Sequence, residues 1–202
     1  VKITAIRQQV KRSDRYSVYV DEKYAFSLSK AGLIESRLAS GKELDASQLA
    51  ELKKAAGIDK AYGNALRYVA MRPHSEWELA MYFKRKAVDD DVAKLIAERL
   101  RGVGLLDDRA FARSWVTSRR LLKATSKRKL VAELKQKHVA ESIITEALTE
   151  DDTDERQTLR DLVERKRQQT RYRTEPLKLM QYLARQGYQY DDIKAVLGEV
   201  IE

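Results

Sequence analysis

The sequence predicts a mainly α-helical chain of three tandem three-helix units, preceded by a small N-terminal antiparallel β-hairpin. Three observations carry this. Glycine and proline are scarce, eight and two among 202 residues, while 35% of residues are charged, a balance that suits helices better than a sandwich or barrel. Apolar residues beyond the first sixty recur at helical spacing. One pattern also repeats. Leu79, Phe83, Ala87 and Val88 stand four, eight, twelve and thirteen residues after Ser75; Leu130, Leu134, His138 and Val139 hold the same offsets from Ser126, and Leu179, Leu183, Gly187 and Tyr188 from Glu175. The origins lie 51 and 49 residues apart. Such a period marks modules that bury their apolar faces by stacking, so an elongated, curved arrangement is expected, with a radius of gyration above the ~17 Å of a compact chain this long.

The elements follow in order. Val1, Ile3 and Ala5, then Tyr16, Val18 and Val20, alternate with polar residues at the strand period. Asp21-Glu22-Lys23 reads as a turn before Tyr24-Ala25-Phe26-Ser27-Leu28, and Lys11, Arg12 and Arg15 are placed at the other hairpin tip. Two or three short strands are expected, packed on helices because an isolated hairpin is marginal. A short helix over 33–38, a turn at Gly41 and a helix capped by Asp45 or Ser47 and ended by Gly57 complete a segment 1–57. The three units are then 58–106, 107–150 and 151–202. In each, the middle helix starts at the repeat origin. Pro73 biases the residue before it out of helix, and Ser75 with Glu78 forms a capping box. The first unit's closing helix starts at Asp89-Asp90-Asp91, where the macrodipole favours negative charge, and is stopped by Gly102. The other closing helices are expected near 143–148 and 193–200.

Charge narrows the function. The net charge is +9, which points to an acidic or polyanionic partner. Most acids sit at helix starts, and Asp107 and Asp108 read as cap and dipole partners. The origin at Ser126 breaks this rule, because Lys127, Arg128 and Lys129 follow it. Three cations in a first turn oppose the macrodipole at ~0.3–1 kcal/mol each, so helix stability does not account for them. Arg119, Arg120 and Lys123 come just before, Lys135 and Lys137 just after, and 119–137 holds eight basic residues against one acid, Glu133. We read a partner-binding patch here. A second basic stretch runs from Arg156 to Arg173 and ends in Arg165, Lys166, Arg167, Arg171 and Arg173 around Tyr172; the tyrosine is expected to pack beneath the next helix rather than stack on a base.

Other chemistry finds no support. There is no cysteine, hence no disulfide, thiolate zinc site or cysteine nucleophile. His74 and His138 are the two histidines; they are not spaced as a helical metal pair and read as structural or solvated. No Gly-rich phosphate loop appears, Trp77, Phe83, Phe111 and Trp115 read as core, and no cofactor or catalytic constellation is expected. No apolar run approaches the ~18 residues of a membrane span. No secretory signal is visible, and Val1 is not an initiator methionine, so a trimmed start and a cytoplasmic location are expected.

Arg72-Pro73-His74-Ser75-Glu76-Trp77-Glu78-Leu79 and Gly104-Leu105-Leu106-Asp107-Asp108-Arg109-Ala110-Phe111-Ala112 resemble the bacterial RecX family, which shows R-P-x-S-x-x-E-L followed at this spacing by G-L-[LI]-[DN]-D-x-x-[FY]-[AV]. Arg119 is similar to the arginine that follows in its run, and Tyr24-Ala25-Phe26-Ser27 to its amino-terminal segment; His74 stands where the family more often has a basic or small residue. The resemblance is strong in the first repeat and early second, and thin in the third. It implies a non-enzymatic regulator, taken as a monomer, that lies along the groove of the RecA–single-stranded DNA filament. There it mostly inhibits recombination, ATP hydrolysis and stimulated cleavage of the SOS repressor in DNA repair. Arg72 joins the candidate contacts on this ground. The residues alone leave two other classes open, a helical-repeat protein that binds nucleic acid directly and a scaffold that only docks proteins.

Overall fold

In a computed structural model, residues 1–199 are described, and among them three strands and eleven helices form. The chain divides into two compact units: Val1–Arg72 with Leu79–Leu105, and Pro73–Glu78 with Leu106–Glu202.

The first unit opens with an antiparallel sheet in the order β1 (Ile3–Gln8), β2 (Arg15–Val20), β3 (Lys23–Ser29). A third strand thus extends the hairpin. Val20 pairs with Lys23, so the β2–β3 loop is two residues long. Both residues have positive φ, Asp21 at 46° and Glu22 at 68°, as the twist of a two-residue hairpin requires. Neighbours hold this strained turn: the Asp21 carboxylate accepts from the Lys2 amide, and the Glu22 amide donates to Thr4 Oγ1, both at 2.9 Å. Arg15 is not at a hairpin tip. It is 4% exposed, and its guanidinium pairs with Asp59 at 3.0 Å and donates to the Ser27 carbonyl at 2.9 Å. A buried cation persists only with such partners.

After α1 (Lys30–Glu35), α2 (Ala46–Ala70) starts at Asp45, whose side chain forms a capping box with Gln48. The helix does not stop at Gly57; it runs unbroken through the expected 57/58 boundary. A mid-helix glycine costs about 1 kcal/mol relative to alanine, and burial of Ala56, Ala65 and Val69 outweighs it. Ile3, Val18, Val20, Phe26, Leu28, Leu44 and Ala56 form the core beneath the sheet.

The repeat is real, and its offsets have separate meanings. The middle helices are α3 (Glu76–Arg85), α6 (Lys127–Gln136) and α10 (Pro176–Arg185). Offsets four and eight are the buried face: Leu79, Phe83, Leu130, Leu134, Leu179 and Leu183 are all at most 3% exposed. Offset twelve is not part of that face. Ala87, His138 and Gly187 lie beyond the helix ends at φ 50°, 54° and 93°. They are left-handed stops, each followed by an amide that reaches back, Val88 to Phe83, Val139 to Leu134 and Tyr188 to Leu183. The closing helices are α4 (Asp90–Gly102), α7 (Glu141–Thr149) and α11 (Tyr190–Glu199); Val200 of the expected 193–200 helix lies outside the described residues. The opening helices of the second and third repeats are α5 (Asp108–Lys123) and α8 (Glu155–Arg167), and a short α9 (Thr170–Thr174) precedes α10. Each of these two repeats has its own core, around Phe111, Leu130 and Ile144 in one and Leu159, Leu179 and Ile193 in the other.

Candidate functional site

The second unit is keyed together at the starts of its middle helices. At α6, the Ser126 hydroxyl accepts from the Lys129 amide, and the Ser126 amide donates to the carbonyl of Gln186 at the end of α10. The Lys127 amide donates to Glu155, the first residue of α8, at 3.0 Å. The start of α3 repeats the scheme. The Glu76 amide donates to Asp108, the first residue of α5, at 2.8 Å, and the Ser75 hydroxyl donates to the carbonyl of Lys137 at the end of α6. Each junction therefore sets a positive helix start against the carbonyl end of the following middle helix, and adds a carboxylate from that following repeat. This answers the anomaly at 127–129. The acid that the first turn of α6 lacks is supplied by Glu155, 28 residues away.

It also corrects two readings. Asp107 caps its own helix, accepting from Arg109 and Ala110, but Asp108 serves α3. Burial pushes the Asp108 carboxyl above its usual range, with the Glu76 amide opposing that rise. Acids near 150–155 likewise do more than face their own helix: Glu150 pairs with Arg113 at 2.6 Å, whose hydrogen bond holds its carboxyl below the usual range, and Asp151 pairs with Arg120.

Many of the predicted contact residues prove to be held internally. Arg120, with its side chain 9% exposed, pairs with Asp151 at 2.7 Å and donates to the Thr125 carbonyl at 2.8 Å. This half-buried guanidinium is already taken up by partners within the fold. Arg119 pairs with Glu133 at 2.7 Å and covers the Trp115 ring at 4.3 Å, while Trp115 Nε1 donates to the same carboxylate. Lys137 pairs with Glu78 at 2.7 Å, Lys135 with Glu141 at 2.9 Å, and Lys129 Nζ donates to the Arg185 carbonyl at 2.7 Å. Lys123, Lys127 and Arg128 are exposed, and their side chains make no ion pair with a described residue. Clefts of about 730 and 420 Å³ flank Arg128, both bordered by Gly187 and Tyr188.

Arg165, Arg171 and Arg173 are exposed, and Arg167 is half-buried. Arg72 is exposed in the first unit. Tyr172 packs beside Tyr182, ring centroids 5.6 Å apart, as a core-facing residue should. His74 is 4% exposed, and His138 stacks on Trp77 at 4.8 Å, so both histidines belong to the framework. What reasoning from sequence missed is the reach of the carboxylates Asp108 and Glu155 to another repeat's helix start; Lys166 of the second basic stretch lies over Tyr182 at 4.7 Å. Among the described residues no cluster of three or more His, Cys, Asp or Glu is arranged to hold a metal, and no helix is long and apolar enough to cross a membrane.

Comparison with known proteins agrees along the whole chain. Residues 1–45 match the regulatory protein RecX N-terminal domain, and 61–100, 107–148 and 153–197 match the first, second and third RecX three-helix domains. The regulatory protein RecX of Bacillus licheniformis is 31% identical over 201 residues, covering 98% of this chain and 76% of that protein. That of Levilactobacillus brevis is 35% identical over 185 residues, covering 92% and 69%. A crystal structure of a regulatory protein RecX superposes with a TM-score of 0.70 at 30% identity, over 98% of both chains. One of RecX from Lactobacillus salivarius, at 23% identity and TM-score 0.59, covers 72% of this chain and shares the fold.

Proposed function

Because the chain belongs to the RecX family of regulatory proteins, we propose that it regulates the RecA recombinase by binding the RecA–single-stranded DNA filament along its groove. Its main effect there is to lower recombination, ATP hydrolysis and co-protease activity. The observation that carries this is the likeness to curated regulatory relatives over nearly the whole chain. The chemistry of the site is consistent with it. The second unit presents Lys123, Lys127 and Arg128 outward at the second repeat, and weak contacts on linked modules sum through effective concentration. The protein acts by occupancy as a monomer in the cytoplasm, with no bond-breaking step of its own.

The test compares binding to naked single-stranded DNA with binding to the preformed filament across a salt series. A filament regulator binds the filament more tightly and slows its ATP hydrolysis. Equal or tighter binding to naked DNA, with ATP hydrolysis unchanged, makes it a direct nucleic-acid binder instead and overturns the proposal.

A further inference from the structure

The third repeat carries a feature its siblings lack. In the first repeat, residues 71–75 join the opening helix to the middle helix, and in the second, 124–126 do so; in the third the connector is 168–175 and contains α9. A connector of this kind needs one anchor, and Tyr172 provides it against Tyr182. With 3.6 residues per turn, the neighbours of an inward residue turn outward, and Arg171 and Arg173 are both exposed. Arg165, Lys166 and Arg167 precede them in the last turn of α8. Over 165–173 there are five cations and no acid, and Arg165, Lys166, Arg171 and Arg173 make no ion pair with a described residue. The carbonyl end of α8 accounts for cations in its own last turn. Arg171 and Arg173 stand likewise in the last turn of α9, and Arg171 lies over the Tyr172 ring at 5.8 Å, but a helix of five residues sums few peptide dipoles, so both guanidinium groups keep most of their charge for the surface.

We propose that the α8–α9 elbow is a contact for the phosphate backbone of single-stranded DNA, independent of base sequence. This goes beyond the regulatory reading, since it gives the chain a nucleic-acid site of its own. A single strand fits better than a duplex because the cations are divided between two short helices, and a flexible backbone can reach both. A helix of five residues, anchored by its central tyrosine, is also too short to lie in a major groove and read it. The tyrosines face each other and Lys166 lies over both, at 4.7 and 5.8 Å, so the contact is ionic rather than stacked. Such binding falls steeply with salt, with a log–log slope of about −0.7 per phosphate neutralised on a single strand.

The experiment measures fluorescence anisotropy of a labelled oligo-dT with the full chain, without recombinase. The variants are Arg171→Glu/Arg173→Glu, Arg171→Lys/Arg173→Lys, and Lys53→Glu/Lys60→Glu as a control of equal charge change in the first unit. The glutamate pair at α9 is expected to weaken binding at least tenfold and to flatten the salt slope by about 1.4, two phosphates' worth. The lysine pair should retain most of the affinity and the control should lose less than threefold, all with unchanged thermal midpoints. Equal loss in the control reduces the effect to net charge and overturns the proposal, as does unchanged binding by the α9 variant. A duplex of the same length bound more tightly, and lost more on mutation, overturns the choice of a single strand. Because no recombinase is present, these failures are separate from failure of the regulatory reading, which recombinase ATP hydrolysis reports.

Discussion

Between 119 and 137, most cations are held by carboxylates or carbonyls of the fold; between 165 and 173, Arg165, Lys166, Arg171 and Arg173 make no ion pair with a described residue. Arg120 is gripped by Asp151, Arg119 by Glu133, Lys137 by Glu78, and Lys129 by carbonyls at the end of α10. In the third repeat, Lys166 lies over two tyrosine rings and Arg171 over one, while Arg165, Arg171 and Arg173 are exposed. The difference separates two uses of positive charge. A cation beside a carboxylate or carbonyl of the second unit ties the parts of that unit together. A cation with no such neighbour gains nothing for the fold, and its energetic value lies in what it meets outside.

Mutations should break or sharpen that division. Arg120→Ala leaves Asp151, 10% exposed at its side chain, without its partner. It should cost about 3–5 kcal/mol, the range for breaking a buried pair from one side, read by denaturant unfolding; a loss under about 1 kcal/mol would put Arg120 back among the surface cations. Gly187→Ala comes next. A Cβ there would stand 2.3 Å from Ser126 Oγ and 2.6 Å from Lys129 Cβ, at a φ of 93°, and strain plus overlap should cost about 2–4 kcal/mol. Stability unchanged by this substitution would mean that α10 does not close on the start of α6.

Smaller effects test the surface. Lys127→Glu/Arg128→Glu should leave the thermal midpoint unchanged or raised, because negative charge in a first turn is favoured by ~0.3–1 kcal/mol per residue. Asp108→Asn gives the smallest effect and a pH signature. The Asp108 carboxyl is raised by burial, so the folded state holds its proton more tightly than the unfolded chain. Its ionised form therefore costs stability above that pKa, and the cost is relieved as pH falls through it. Asparagine can still accept from the Glu76 amide, so the variant should match or exceed the parent by under about 1 kcal/mol at neutral pH, and the advantage should vanish in acid. A variant less stable at neutral pH, with a deficit that shrinks in acid, would show that the carboxylate charge itself holds α3.

The buried face was legible because Leu79, Leu130 and Leu179, with Phe83, Leu134 and Leu183, repeat at helical spacing, and burial enforces spacing. Offset twelve was misread because a left-handed stop can be Ala, His or Gly, as at Ala87, His138 and Gly187, and none announces a positive φ as a class. Gly57 looked like a stop and was not, since packing along α2 outweighs one weak residue. The charge pattern at 127–129 was visible as an anomaly, but its resolution was not: Glu155 and Asp108 act on helices 28 and 32 residues away, beyond any local rule. Arg119 and Arg120 looked alike in sequence and differ in exposure, side chains 25% and 9%: the first pairs with Glu133 across the Trp115 ring, the second with Asp151 and the Thr125 carbonyl. The helix α9 left no trace in periodicity, being barely more than one turn long.

The most direct test of the regulatory reading follows ATP hydrolysis by a recombinase–single-stranded DNA filament while this protein is titrated in. The wild-type chain should lower the rate, and Lys127→Glu/Arg128→Glu should need at least tenfold more protein for the same effect at an unchanged thermal midpoint. A rate unaffected by saturating wild-type protein would contradict the account, as would a charge-reversed variant that inhibits equally well.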